Sequence, residues 1–436
     1  PILFFATMRI GAILVPLNFR LTAPELDILL KDSEPRYIIY EETLLENISA
    51  LYTVSLEDQG IALEIFTSLL EKTDSSQTVN LHQPDFEDCV MILYTSGTTG
   101  IPKGAMITHK MLFYNSINTE MRLDITSQDH TLGFAPFFHT GGWNVLLTPF
   151  IHHGASLTLL DKFDADTILE LIEKEKVSLL FGVPTMLQMM SESPKFPNAD
   201  LSSMRYIIVG GAAMPIPLIR LWHERGIYIR QGYGLTEVGP NCYSLHHDDA
   251  EGKIGSIGFP NFYIEPKVIN EKGSICGPDE VGELLLKSPV VTPGYWRKPK
   301  ETAAAIEDGW FHTGDMVRYD NEGFYYVVDR KKNMFISGGE NVYPAEIEAL
   351  INGIIGVVES SIIGIPHAKW GEVGKAYIVR RNPDLTADSI LEYCKSRLAK
   401  FKIPKEIVFI EALPRNEAGK IDRKKLEEMH KILKEN

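Results

Sequence analysis

Residues 94–104, YTSGTTGIPKG, gather small, hydroxylated and conformationally permissive side chains directly after the apolar stretch 90–93. The run reads as a loop leaving a buried strand. Thr95, Ser96, Gly97, Thr98, Thr99 and Gly100 offer backbone N–H groups and hydroxyls to a polyphosphate, and Lys103 adds a positive charge. It departs from a Walker A loop at two positions: Pro102 stands in place of the second Gly, and Gly104 in place of the Ser or Thr that would hold magnesium. A flexible turn is the plainer alternative, but the preceding strand and the P-K-G ending favour a phosphate loop.

Stepping outward, short apolar runs alternate with helical patterns up to about residue 250. Strands are expected at 154–160, 178–181, 205–209 and 226–230, and helices at 166–176 and from Pro184 to about 190. Strand–loop–helix repeats imply a largely parallel sheet covered by helices, with ligands at the carboxyl ends of its strands. Three Gly-containing loops fall at such ends: after Leu93, after Val209 and, as QGYGLTE, after Arg230. From 252 to 330 Gly and Pro recur, and strand-like runs at 263–269 and 283–287 suggest a small antiparallel β subdomain. The charged run 329–333 then marks a boundary. The domains are expected at 1–331 and 332–436. The smaller one mixes α and β patterns, with helices at 344–351 and 387–400 and a solvated tail helix at 426–434.

The chain has 436 residues, 44% hydrophobic and 23% charged, with net charge −15. An acidic surface argues against a nucleic-acid partner and against docking on anionic lipid. No apolar run reaches membrane-spanning length. The four cysteines, Cys89, Cys242, Cys276 and Cys394, form no C-x-x-C pair, so a reducing, cytoplasmic setting is expected. Residues 1–19 read as a buried helix and an extended piece; with no initiating Met and no cap, the natural chain is expected to begin earlier.

Seven motifs in order carry a resemblance: YTSGTTGIPKG, PFFHTGGW (136–143), VGGAAM (209–214), YGLTE (233–237), HTGD (312–315), DRKKNMFISGGENVYP (329–344) and PRNEAGKIDR (414–423). Over nearly its whole length the chain resembles an acyl-CoA synthetase of the adenylate-forming superfamily. The resemblance implies two half-reactions. A carboxylate attacks the α-phosphate of ATP, giving acyl-AMP and pyrophosphate; the thiol of CoA then takes the acyl group. It implies an α/β N-terminal domain and a small mobile α+β lid, with the acid, ATP and CoA as partners, Mg2+ as cofactor and a homodimer as an option.

Residue by residue, the resemblance makes Lys420 the bridge between carboxylate and phosphate. A solvated surface lysine is the blander reading. Glu237 is the expected magnesium ligand, because a hard cation prefers oxygen. Thr236 faces the α-phosphate, Tyr233 offers adenine a flat face, and Gly211, Ala212, Ala213, Gly232 and Gly234 let the backbone approach the nucleotide. Asp315 and Arg330 match the ribose contacts. Lys332 matches the hinge. Ser337, Gly338, Gly339 and Glu340 would line a thiol tunnel, with Trp370, Phe401 and Lys405 matching CoA contacts; a G-G turn is equally natural for the two glycines.

The acyl pocket is expected among His139, Gly142, Trp143, Val183, Gly210 and Gly234. Trp143 resembles a gate tryptophan, and the small residues Gly141, Gly142, Gly182, Gly210 and Gly211 leave room for a tunnel. A medium- or long-chain fatty acid is therefore favoured. Hydroxycinnamate-type and o-succinylbenzoate-type aryl acids are the rivals within the reaction; a carrier-protein-loading enzyme and a non-catalytic nucleotide-binding protein are rivals outside it.

Overall fold

The computed structural model describes residues 1–44, 62–71, 81–95, 102–212, 214–416 and 419–435. Its central layer is a five-stranded sheet. Strands Leu179–Gly182, Tyr206–Val209 and Tyr228–Leu235 run parallel, and Gly239–Ser244 and Phe259–Pro260 continue it antiparallel. Strands His130–Gly133 and Ser156–Leu159 form a parallel pair, tied to this sheet where Ser178 N–H donates to the His130 carbonyl. The helices begin where their sequences allow. Asp164 caps Ala165–Glu175 by accepting from Thr167 N, and Pro184 opens Pro184–Glu192. Their apolar faces, with Ile168, Ile172 and Leu187, join Trp222 of Ile216–Glu224 over Ile207 and Ile229 of the sheet.

The sequence places a loop after Arg230, but the strand runs through it to Leu235. The reason is pairing: Gly232 opposes Ser244 and Tyr233 opposes Tyr243, so QGYGL is one arm of a hairpin. The second layer is antiparallel throughout. Strands Glu265–Ile269, Gly282–Lys287, Trp310–Tyr319 and Ile306–Glu307 lie in that order, and Tyr325–Arg330 pairs with Trp310–Tyr319. It shares an apolar core with Gly239–Ser244, through Leu284, Leu286, Phe311 and Val317 against Cys242 and Tyr243.

Beyond the 3-10 turn Lys331–Asn333 lies the small domain. Its main strands are Val357–His367 and Gly371–Arg380, with Phe335–Ser337, Glu340–Val342 and Glu406–Phe409 alongside. Side chains alternate between two faces. Ile362, Ala376 and Ile378 pack under helices Pro344–Asn352 and Ala387–Lys395, while Ile363, Ile365 and Tyr377 pack with Leu413 and Leu426. The second face corrects an expectation. Helix Arg423–Glu435 is not a solvated tail: Leu426 is 0% exposed and Tyr377 Oη donates to its carbonyl. Helix Ala387–Lys395 also stops short of residue 400, at Ser396.

At the other end, helix Ile2–Ile10 closes on Gly11 in the left-handed region (φ 70°) and buries Phe4. Leu14 then bridges to Met91 of strand Cys89–Thr95. Among the described residues no helix is long and apolar enough to cross a membrane.

Candidate active site

Strand Cys89–Thr95 pairs antiparallel with Lys103–Thr108, which sets Thr95 opposite Lys103 at the base of the phosphate loop. Ser96, Gly97, Thr98, Thr99, Gly100 and Ala213 lie outside the described residues. Thr236 and Glu237 sit on the short 3-10 turn that follows strand Tyr228–Leu235. The Glu237 carboxylate accepts from Thr95 Oγ1 at 3.3 Å and from Tyr295 Oη at 3.0 Å. Thr292 N–H donates to the Glu237 carbonyl and Trp296 N–H to the Gly104 carbonyl, so the 292–296 segment closes against both motifs. Tyr295 is 8% exposed, and the Lys103 ammonium lies 5.1 Å from its ring centroid. Burial, reinforced by Glu237, raises the Tyr295 pKa, so the phenol remains a donor. Sequence reasoning missed Tyr295, because one tyrosine between Gly294 and Trp296 carries no periodic or motif signal of its own.

Asp315 faces Arg330 across the pair of strands Trp310–Tyr319 and Tyr325–Arg330. It is 2% exposed; Arg330 Nε is 2.6 Å from one oxygen, and Tyr233 Oη donates to the other at 2.7 Å. Burial raises the Asp315 pKa, against the opposing pull of Arg330 and Tyr233. The Tyr233 ring packs edge-on against Tyr243, with centroids 5.8 Å apart.

Lys420 stands on a closed turn. Its N–H donates to Asn416 Oδ1, its carbonyl accepts from Asn416 N–H, and Gly419 takes φ 76°. Lys420 is exposed, yet desolvation of its ammonium lowers its pKa. Arg330 lowers it further, while Asp315 and Glu237 act in the opposite sense. The same ammonium acts on His139, which is held down to about 4 by burial first, then by Lys420 and Arg20. The Lys420 ammonium thus lies within electrostatic reach of Glu237, Asp315, Arg330 and His139. Arg20, a second cation near His139, was not legible in the sequence.

The acyl wall differs from expectation. Trp143 is 3% exposed; its ring packs on Phe137 and Phe4, at centroid distances of 4.5 and 4.9 Å, and its indole N–H donates to the Phe137 carbonyl. In this conformation it packs as a core residue. Two glycines expected to leave a tunnel instead permit close packing: a Cβ on Gly142 would meet the Pro136 carbonyl at 2.5 Å, and one on Gly182 would meet Leu187 at 2.6 Å. Gly234 also belongs to packing, since a Cβ there would lie 2.3–2.4 Å from the Gly239–Pro240 backbone. The Phe181 ring stands between Gly141 and Gly210, and Val183 lies beside Gly211.

In the small domain, Gly338 (φ 63°) and Gly339 (φ 89°) form the turn between strands Phe335–Ser337 and Glu340–Val342. Ser337 is buried, Glu340 is exposed, and Gly338 N–H donates to the Trp370 carbonyl. A Cβ on Gly338 would reach the Trp370 ring at 2.9 Å. Phe401 packs against the domain's apolar core, and Lys405 N–H donates to the Gly374 carbonyl. Lys332, in the 3-10 turn between the domains, has its pKa lowered by burial and then by Arg330.

The AMP-binding enzyme family model matches residues 1–296, and the AMP-binding enzyme C-terminal domain model matches residues 346–420. A feruloyl-CoA synthase of an Amycolatopsis species is 39% identical over 422 residues, 96% of this chain and 84% of that one. A long-chain-fatty-acid–CoA ligase of Mycobacterium tuberculosis is 37% identical over 434 residues, 98% of this chain and 85% of that one. The crystal structure of ATP-bound MatB from Rhodopseudomonas palustris superposes with a TM-score of 0.91 at 32% identity, covering 99% of this chain and 86% of that one.

Proposed function

This chain belongs to the AMP-binding enzyme family and is an AMP-forming acid–CoA ligase, and on that premise we propose how its residues divide the work and which acid they serve. The observation that carries the assignment is the Asp315 carboxylate held by Arg330 and Tyr233, and Glu237 held by two hydroxyls, with the Lys420 ammonium within electrostatic reach of both acids. Adenylation brings a carboxylate up to a polyphosphate, so like charges must be screened while the acid oxygen attacks the α-phosphorus and pyrophosphate leaves. Lys420 bridges the two anions. Residues 95–100 and Lys103 hold the phosphates, and Thr236 bonds the α-phosphate. Asp315, already oriented by Arg330 and Tyr233, takes the ribose hydroxyls.

Glu237 fits a magnesium site by its donor set: an oxygen ligand whose described partners are two neutral hydroxyls. When bound, Mg2+ neutralises phosphate charge there. His139 is neutral at physiological pH, so it orients the acid carboxylate by hydrogen bonding and supplies no charge.

For the second half-reaction the small domain, 332–436, turns about Lys332. Lys420 leaves the cleft, and the Ser337–Glu340 hairpin with Trp370 comes in to line the path of the thiol. Free Cys89, Cys242, Cys276 and Cys394 suit a reducing, cytoplasmic compartment.

For the acid, the flat Phe181 ring between Gly141 and Gly210 supports an aryl acid. The medium- or long-chain fatty acid favoured by sequence is the second reading; it keeps the support of the mycobacterial relative, although in this conformation Trp143 packs as a core residue. Thioester formation across saturated acids of graded length and a set of aryl acids tests this. An aryl acid should give the highest kcat/KM, and a maximum at a long saturated chain would overturn it.

A further inference from the structure

Helix Pro344–Asn352 of the small domain has no cap of its own: Tyr343 stands at its N-cap and makes no side-chain hydrogen bond there. The missing acceptor comes from outside the domain. Asp329, 5% exposed, belongs to the last strand of the large domain, where it pairs with Met316. One of its oxygens accepts from Ala345 N–H in the helix's first turn at 2.7 Å. The other accepts from Arg330 N–H at 2.6 Å and from Asn333 Nδ2 at 2.8 Å, so it grips both sides of Lys332. A carboxylate at a helix N-terminus also meets the positive end of the helix dipole.

The same helix leads to the reacting lysine. Its Glu348 side chain, 12% exposed, accepts from Ile362 N–H at 2.7 Å and shares Arg423 Nη2 between its two oxygens at 2.6 and 2.7 Å. Arg423 opens the helix that follows the Lys420 turn. Asp329, helix Pro344–Asn352, Glu348 and Arg423 therefore form one connected path from the large domain to the base of Lys420.

We propose that Asp329 is a positioning residue that latches the small domain in the pose that places Lys420 in the cleft, and that it must release Ala345 before the thiol step. The latch acts on one pose only, so it biases one half-reaction. This rests on the reading of Lys332 as a hinge.

The test separates the half-reactions in the full chain. Pyrophosphate exchange reports adenylation, and thioester formation from supplied acyl-adenylate and CoA reports the second step. Asp329→Ala should lower exchange about ten-fold, the scale of one lost charge-assisted hydrogen bond, and leave the second step within about two-fold of the parent. Asp329→Asn keeps one acceptor oxygen but must turn its NH2 towards the donors of the other, so exchange should recover only in part. Ala345→Pro removes the same N–H from the other side, at a first-turn position that tolerates Pro, and should reproduce the split if Asp329→Ala folds poorly. Equal loss of both half-reactions in Asp329→Ala and Ala345→Pro, or no loss in either, overturns the latch. Lys332→Pro distinguishes the premise: if it impairs both half-reactions equally the hinge itself fails, whereas a split there with none at Asp329 removes only the latch.

Discussion

The two acids of the cleft, Asp315 and Glu237, are held in opposite ways. Asp315 is 2% exposed and already has a guanidinium and a phenol as partners. Glu237 is half-buried and receives two hydroxyl donors, one of them from Tyr295. Hydroxyls fix an orientation without cancelling a charge. Asp315 is thus suited to neutral ribose hydroxyls, and Glu237, whose described partners are neutral, to a cation. The lesson is that the partner of a carboxylate, more than its depth, tells which kind of ligand it awaits.

Lys420 faces both acids, so its loss should break the comparison most severely. Lys420→Ala is expected to lower pyrophosphate release about a thousand-fold, with ATP binding nearly retained; near-normal exchange would refute its role. Next comes Glu237→Gln, which keeps an acceptor for both hydroxyls. Activity should fall about a hundred-fold, with the Mg2+ requirement shifted upward, while stability stays within about 0.5 kcal/mol by denaturant titration. Asp315→Ala should do what Glu237→Gln does not: strand the Tyr233 hydroxyl and cost about 2 kcal/mol of stability, alongside a raised KM for ATP.

Tyr295→Phe is a finer probe. It removes one donor to Glu237 and should raise the half-saturating Mg2+ concentration several-fold, on the order of one neutral hydrogen bond, without altering the KM for the acid.

The smallest effect concerns His139. Its folded pKa, about 4, lies below its ordinary 6.5. Between those values the unfolded chain binds more protons, so stability contributed here is present above about pH 6.5 and is lost as pH falls towards 4. His139→Gln should flatten that part of the pH–stability curve. Lys420→Ala should raise the imidazole pKa measured by NMR, because one of the charges that depress it is gone.

The catalytic motifs were legible because they are local. Gly, Ser and Thr after an apolar run, or an acid ending YGLTE, announce themselves within a few residues. The parallel strands 179–182 and 206–209 were legible for the same reason: both are continuous apolar runs. What was hidden depends on distant partners. QGYGL reads as a loop until Gly239–Ser244 comes to pair with it. Trp143 reads as a gate until Phe4, far upstream, is found against its ring. Tyr295 gains its meaning only when its segment folds back on Glu237, and Leu426 only when a second face of the small sheet needs covering.

That last helix has a practical consequence. Its first residue, Arg423, is three positions from Lys420, and its body is seated on Tyr377 and Leu413. Pulling on or trimming this helix would load the Lys420 turn rather than inert surface. A preparation immobilised or labelled through this helix should therefore be compared with an unmodified one before its turnover is taken as intrinsic.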